Sequence, residues 1–105
     1  MGRRKMDKIQ RISEVLHYIE DHLDEIADYE QVANTFSFSP YYFHRLFSAV
    51  VGKPIGAYIR ERRLAKASLL LTDPDKTITS ICFECGFNSS QSFCRAFKNS
   101  YGISP

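Results

Sequence analysis

The strongest constraint on this chain is an internal repeat. Phe43, Arg45, Phe47 and Gly52 return as Phe93, Arg95, Phe97 and Gly102, each displaced by 50 positions. Ser39 and Ser89 keep that offset, while Phe38 and Phe87 lie 49 apart, so the second copy carries one extra residue, Asn88. Two copies of a unit this size fill a 105-residue chain and leave no room for a third. Phenylalanines four residues apart meet on one face of a helix, one turn above the other. A glycine five residues beyond the second one marks where that helix stops.

The rest of the chain follows the same helical period. Ile9, Ile12, Leu16, Ile19 and Leu23 form one apolar stripe, with Glu14, Glu20, Asp21 and Asp24 facing solvent, which predicts a first helix. Asp28 is placed to cap a short second helix through Thr35, with Val32, Ala33 and Phe36 turned inward. Ser37-Phe38 makes a turn, and Ser39-Pro40 opens a third helix that runs to about Val51. Lys53-Pro54 opens a long fourth helix, from about Ile55 to Leu71, that Asp73-Pro74 ends. Thr77 caps a fifth helix stopping at Gly86, and Ser89 a sixth running to about Ser100. Alternating apolar and polar runs and Asn-Gly or Asp-Gly hairpin turns are missing. The expected fold is all-α: a homeodomain-like pair of helix–turn–helix subdomains joined by a long central helix. Its expected boundaries are a basic N-terminal tail at 1–7, a first lobe at 8–54, a joining helix at 55–72 and a second lobe at 73–105.

The repeated phenylalanines decide which residues face out. Phe43, Leu46, Phe47 and Val50, and in the second copy Phe93, Ala96 and Phe97, pack on the preceding short helix. That helix needs a small residue at the crossing, and Ala33 and Cys82 stand there. The turn needs a residue tolerant of left-handed backbone, which Gly86 supplies and Ser37 replaces. Tyr41, Tyr42, His44, Arg45 and Ser48 are left on the outside of the third helix. Ser90, Gln91, Ser92, Arg95 and Lys98 are left on the outside of the sixth, with Cys94 near the edge and expected exposed. These are hydrogen-bond donors and aromatic rings on the second helix of a helix–turn–helix, the element that enters a DNA major groove. The helix starts at Ser39 and Ser89 and the cations Arg60 and Lys66 are candidates for phosphate contacts. A fourth helix of this length is about 25 Å long at 1.5 Å per residue, which suits two recognition helices about 34 Å apart, one turn of DNA.

Charge supports a basic face rather than a basic protein. Residues 1–52 hold six Lys/Arg against eight Asp/Glu, a net of −2, and residues 53–105 hold eight against four, a net of +4. Other function classes find little support. The chain has no phosphate-binding glycine loop, no His-Glu-x-x-His and no nucleophile elbow, so it is not read as an enzyme and no cofactor is implied. Cys82-x-x-Cys85 resembles half of a zinc or redox motif, but no second Cys/His pair lies at zinc spacing, so both thiols are expected buried and inert. His17 and His22 do not share a helical face, so no metal site is expected. Three cysteines, an odd number, suit a reducing cytosol, and no apolar run approaches a membrane span. The rival class is a protein-interaction or effector-sensing module without DNA binding, which the outward arginines disfavour.

The residues resemble the DNA-binding domain of the AraC/XylS family of bacterial transcription regulators over about 8–105. The matching text runs Ser39-Pro40-Tyr41-Tyr42-Phe43-His44-Arg45-Leu46-Phe47, Gly52, Tyr58-Ile59 and Arg63-Leu64-Ala65-Lys66-Ala67. It continues Ile78-Thr79-Ser80-Ile81-Cys82, Gly86-Phe87, Ser92-Phe93-Cys94-Arg95-Ala96-Phe97-Lys98 and Gly102-Ile103-Ser104-Pro105. The resemblance implies a bilobed, seven-helix, cytoplasmic domain that binds and bends double-stranded DNA and activates transcription by touching RNA polymerase. It implies base reading from Tyr41, His44 and Arg45 in the first lobe, and from Ser90, Gln91, Ser92, Cys94 and Arg95 in the second. Ser37 stands where the family has Gly, and Cys82 where it has Ala. The text ends at Pro105, before the family's further short helix, and an effector domain beyond the C-terminus of the native chain is expected, or none.

Overall fold

The computed structural model describes residues 2–105, with side chains from Asp7 onward. It holds six helices, α1 (Gly2–Asp21), α2 (Tyr29–Thr35), α3 (Pro40–Val51), α4 (Ile55–Leu70), α5 (Ile78–Glu84) and α6 (Ser90–Tyr101), and no strand among the described residues. No helix is long and apolar enough to cross a membrane. The chain forms two compact units, residues 1–22 with 26–59, and residues 23–25 with 60–105. Residues 55–72, expected as a separate joining helix, are therefore divided between the units. The bounds of α1 take in the segment expected as a basic tail, whose side chains at 2–5 lie outside the described residues.

Four helix starts are closed by side chains. The Asp28 carboxylate accepts from the Gln31 amide at 2.9 Å, and the Thr77 hydroxyl from Ser80 at 3.1 Å. Ser39 accepts from Tyr42 at 3.3 Å and Ser89 from Ser92 at 3.1 Å. Each such cap satisfies an amide that the helix itself cannot, and is worth about 1 kcal/mol.

The two turns share one hydrogen-bond pattern. In the first unit the Phe38 amide donates to the Ala33 carbonyl at 2.9 Å and the Ser37 amide to Asn34 at 3.1 Å. In the second, Phe87 donates to Cys82 at 3.0 Å and Gly86 to Phe83 at 3.1 Å. This is a Schellman ending of α2 and of α5, and it requires a left-handed residue between the two helices. Ser37 holds φ at 59° and Gly86 at 94°. Ala33 and Cys82, whose carbonyls close these turns, are fully buried where the next helix packs.

The phenylalanine repeat becomes a repeated core. Phe38 and Phe43 stack with centroids 5.6 Å apart, and Phe43 and Phe47 meet at 5.9 Å. Phe87 and Phe93 meet at 5.1 Å, and Phe93 and Phe97 at 5.9 Å. Around the first group, Ile12, Val15, Ile19, Val32, Ala33, Ile55 and Ile59 are buried. Around the second, Leu64, Ala67, Ile81, Cys82 and Cys85 form one cluster. Burying each large side chain fully stabilises a unit by about 1.5–3 kcal/mol.

Five positions of the expected apolar stripes stand differently in the structure. Ile9 is 48% exposed, and Leu16 is only half-buried, because the stripe of α1 runs through Val15 instead. Leu23 is buried but lies past the end of α1 and belongs to the second unit. Val50 is exposed and Leu46 half-buried, while Phe43 and Phe47 on the same helix are fully buried.

The left-handed residue differs in its surroundings. At Gly86 a side chain would run into the Leu23 carbonyl and come within 2.8 Å of the Arg63 Nε, which itself donates to that carbonyl at 2.9 Å. Ser37 is exposed. A non-glycine residue in this conformation costs about 1–2 kcal/mol, partly offset in a glycine variant by a more disordered unfolded chain. Ser37→Gly is expected to stabilise the protein by about 0.5–1 kcal/mol, and Gly86→Ser to destabilise it by about 2 kcal/mol or more. Urea unfolding followed by far-ultraviolet circular dichroism checks both, and equal effects at the two turns would contradict the packing assigned to Gly86.

Candidate nucleic-acid interface

The surface left open by the two cores lies on α3 and α6, and neither helix contains an acidic residue. On α3, Tyr41, Tyr42, His44 and Arg45 are exposed, as expected, while Ser48 is half-buried. Tyr41 is 74% exposed. His44 packs edge-on against the Tyr29 ring at 6.3 Å. The Arg45 guanidinium sits 5.6 Å from the centre of the Tyr41 ring.

On α6, Gln91, Ser92, Arg95 and Lys98 are exposed, and Ser90 and Cys94 are half-buried. The Ser92 hydroxyl donates to the Ser89 carbonyl at 3.0 Å and receives the Ser89 hydroxyl at 3.1 Å, so it is held within the cap. Arg95 stands at the position that repeats Arg45, and Lys98 lies one turn from the left-handed Gly102.

The candidate phosphate contacts separate into two kinds. Ser39 and Ser89 are exposed at helix starts, where amides point outward, and Arg60 is exposed on α4. Lys66 is half-buried, and its ammonium donates to the carbonyl of Glu84, the last residue of α5, at 3.3 Å. Lys76 pairs with the Glu84 carboxylate at 3.0 Å, and that carboxylate raises the Lys76 pKa. Cations at a helix C-terminus complement its dipole. The first unit has its own version, which sequence reasoning missed. Arg11 donates to the carbonyl of Phe36, the cap of α2, and lies 4.1 Å from the centre of the Phe38 ring. Its place four residues before the buried Val15 gave no local signal, because an arginine on the flank of an amphipathic helix looks like any solvated charge.

The thiols follow their burial. Cys82 and Cys85 are fully buried, and desolvation pushes both thiols above the ordinary value of 9.0. A Ser90 hydrogen bond opposes the shift at Cys82, and Lys66 opposes it at Cys85. Cys94, expected exposed, is half-buried against the second core. No group of three or more His, Cys, Asp or Glu among the described residues is arranged to hold a metal ion.

A helix–turn–helix domain family matches residues 32–105. The chain is similar to the Tn10 TetD protein of Escherichia coli, 42% identical over 94 residues, covering 90% of this chain and 68% of that protein. It spans only about a third of several other curated relatives. A transcriptional regulator with an AraC-type DNA-binding domain from Chromobacterium violaceum superposes with a TM-score of 0.82 at 28% identity, covering 91% of this chain and 86% of that one. The DNA-binding domain of the global transcriptional factor AdpA, solved with a target DNA, superposes with a TM-score of 0.84 at 28% identity, covering 89% of this chain and 84% of that one.

Alkylation at neutral pH is expected to modify Cys94 and to spare Cys82 and Cys85 until the protein is unfolded; mass spectrometry of labelled peptides checks this. The raised folded thiol pKa also carries a sign. The contribution is fully present below the unfolded value near 9.0 and is lost as pH rises through the folded value, so stability falls in alkali. A Cys82→Ala, Cys85→Ala variant is expected to lose that alkaline slope.

Proposed function

The chain belongs to the AraC/XylS family of helix–turn–helix domains, and on that premise we propose that it reads double-stranded DNA as the sequence-specific part of a bacterial transcription regulator. The observation that carries this reading is the pair of acid-free outward faces on α3 and α6, with Arg45 and Arg95 at repeat-equivalent positions. Likeness to a domain solved on its target DNA supports duplex DNA as the ligand.

In this reading α3 and α6 enter successive major grooves. Arginine forks onto the O6 and N7 of guanine, glutamine onto the N6 and N7 of adenine, and tyrosine touches a thymine methyl or a phosphate. Tyr42, His44 and Arg45 serve one block of bases, with Tyr41 beside Arg45 on the same face, and Ser90, Gln91, Ser92, Cys94, Arg95 and Lys98 serve the other. Ser39, Ser89 and Arg60 face phosphates, whereas Lys66 reaches one only by releasing the Glu84 carbonyl. Ser92 reads a base only by leaving its cap bond to Ser89. The two faces differ in composition, so the target is asymmetric. RNA polymerase is the second macromolecular partner of this reading, with activation as the outcome.

Selection from a random duplex pool at two salt concentrations is expected to enrich two unlike blocks of bases one helical turn apart. Enrichment of nothing that survives the higher salt would sink the proposal. On the selected duplex, Arg45→Ala and Arg95→Ala are each expected to cost about 1–3 kcal/mol and to relax specificity within their own block. A substitution that removes only a phosphate contact is expected to lower the log–log salt slope by about 0.9 without changing the preferred bases. Fluorescence anisotropy over a salt series distinguishes the two kinds.

A further inference from the structure

We infer that Tyr41 is a positioning residue for Arg45, holding its guanidinium on the ring so that the first lobe reads its base with a pre-set arginine; this rests on the DNA-reading function proposed above. Arg45 lies four residues after Tyr41, one helical turn away, and its guanidinium carbon is 5.6 Å from the ring centre. That is within the range of a cation–π contact. The ring has no other described aromatic partner, and α3 has no carboxylate to draw the arginine elsewhere. The neighbouring rings are all committed differently: Tyr42 tilts against Phe38 at 5.9 Å, and His44 against Phe43 at 6.2 Å and Tyr29 at 6.3 Å.

The second lobe provides an internal comparison. Arg95 repeats Arg45, but the residue repeating Tyr41 is Gln91. Gln91 offers no aromatic ring, so Arg95 has no counterpart of the Tyr41 contact. A guanidinium held by a flat ring loses less side-chain freedom when it forks onto a base edge. The two repeated arginines therefore read DNA differently: Arg45 as a held group with strict base preference, Arg95 as a freer group with a more tolerant one.

The test is a double-mutant cycle on the selected duplex, read by fluorescence anisotropy, with a panel of single base-pair changes. The base pair read by Arg45 is the one at which Arg45→Ala relaxes discrimination. Tyr41→Phe keeps the ring and is expected to bind like the parent. Tyr41→Ala is expected to lose about two- to fivefold in affinity and to relax discrimination at that same base pair. Added to Arg45→Ala, Tyr41→Ala is expected to cause no further loss. Equal losses from Tyr41→Ala in both backgrounds would overturn the inference, because the ring then contacts DNA by itself. Unchanged discrimination in Tyr41→Ala would overturn it as well. Thermal unfolding of each variant separates these outcomes from a loss of fold. If the parent selects no duplex, the DNA-reading function fails and this inference with it; if the parent selects one and Tyr41 acts additively, only the positioning role fails.

Discussion

Everything in each unit depends on a left-handed residue between two short helices. Ser37 and Gly86 close the Schellman bonds that end α2 and α5, and this reverses the chain within a few residues. The following helix then packs across a fully buried small residue, Ala33 or Cys82. Only with that close approach can Phe43 and Phe47, or Phe93 and Phe97, be buried together. Once those rings are inside, the 3.6-residue period sends Tyr41 and Arg45, or Gln91 and Arg95, to the outside. The outward face of α3 and of α6 is thus set by the turn, through the core, rather than by any contact among the surface residues.

The electrostatics follow a division of labour. Acidic side chains sit on α1, α2, α4 and α5 and in the segments after α1 and α4, and are absent from α3 and α6. Helix ends that a protein of this size must satisfy are closed by its own groups: four side-chain caps at N-termini, and Arg11 and Lys66 at the carbonyl ends of α2 and α5. Arg11 stays exposed and Lys66 half-buried, so each is tied to a carbonyl without leaving the surface. Arg45, Arg95 and Lys98 are exposed on the acid-free helices α3 and α6. A hydrogen-bonded cation and an exposed one look identical in sequence, and they differ in what it costs to move them.

Much of the fold and most of the outer face were legible because two periods coincide, the helical one and the 50-residue repeat. A phenylalanine pair that recurs with its serine cap and terminal glycine leaves one arrangement that satisfies both copies. Where only one period was present, the reading slipped. The stripe of α1 can be drawn through Leu16 or through Val15, which are adjacent and equally apolar, and only the partner helix chose Val15. Val50 has the spacing of a core residue, but it stays 39% exposed. Cys94 and Ser90 lie at the edge of their face, where a rotation of a few degrees decides exposure. Lys66 and Arg11 were unreadable as carbonyl partners, since their acceptors lie 18 and 25 residues away and carry no side-chain signal.

The sequence by itself determined the number, order and caps of the helices, the two-unit plan and the outward placement of the arginines. These rest on local hydrogen bonds and on the spacing of apolar side chains, both of which are properties of short segments. Tertiary structure alone decided that residues 23–25 belong with the second unit, that residues 55–72 are shared between units, and that Gly86 cannot carry a side chain where Ser37 can. It also decided which exposed cations are spent on carbonyls and which ring Arg45 rests on. Those outcomes depend on the approach of groups distant in the chain, or on rotamers chosen by packing, and neither leaves a periodic trace in the order of residues.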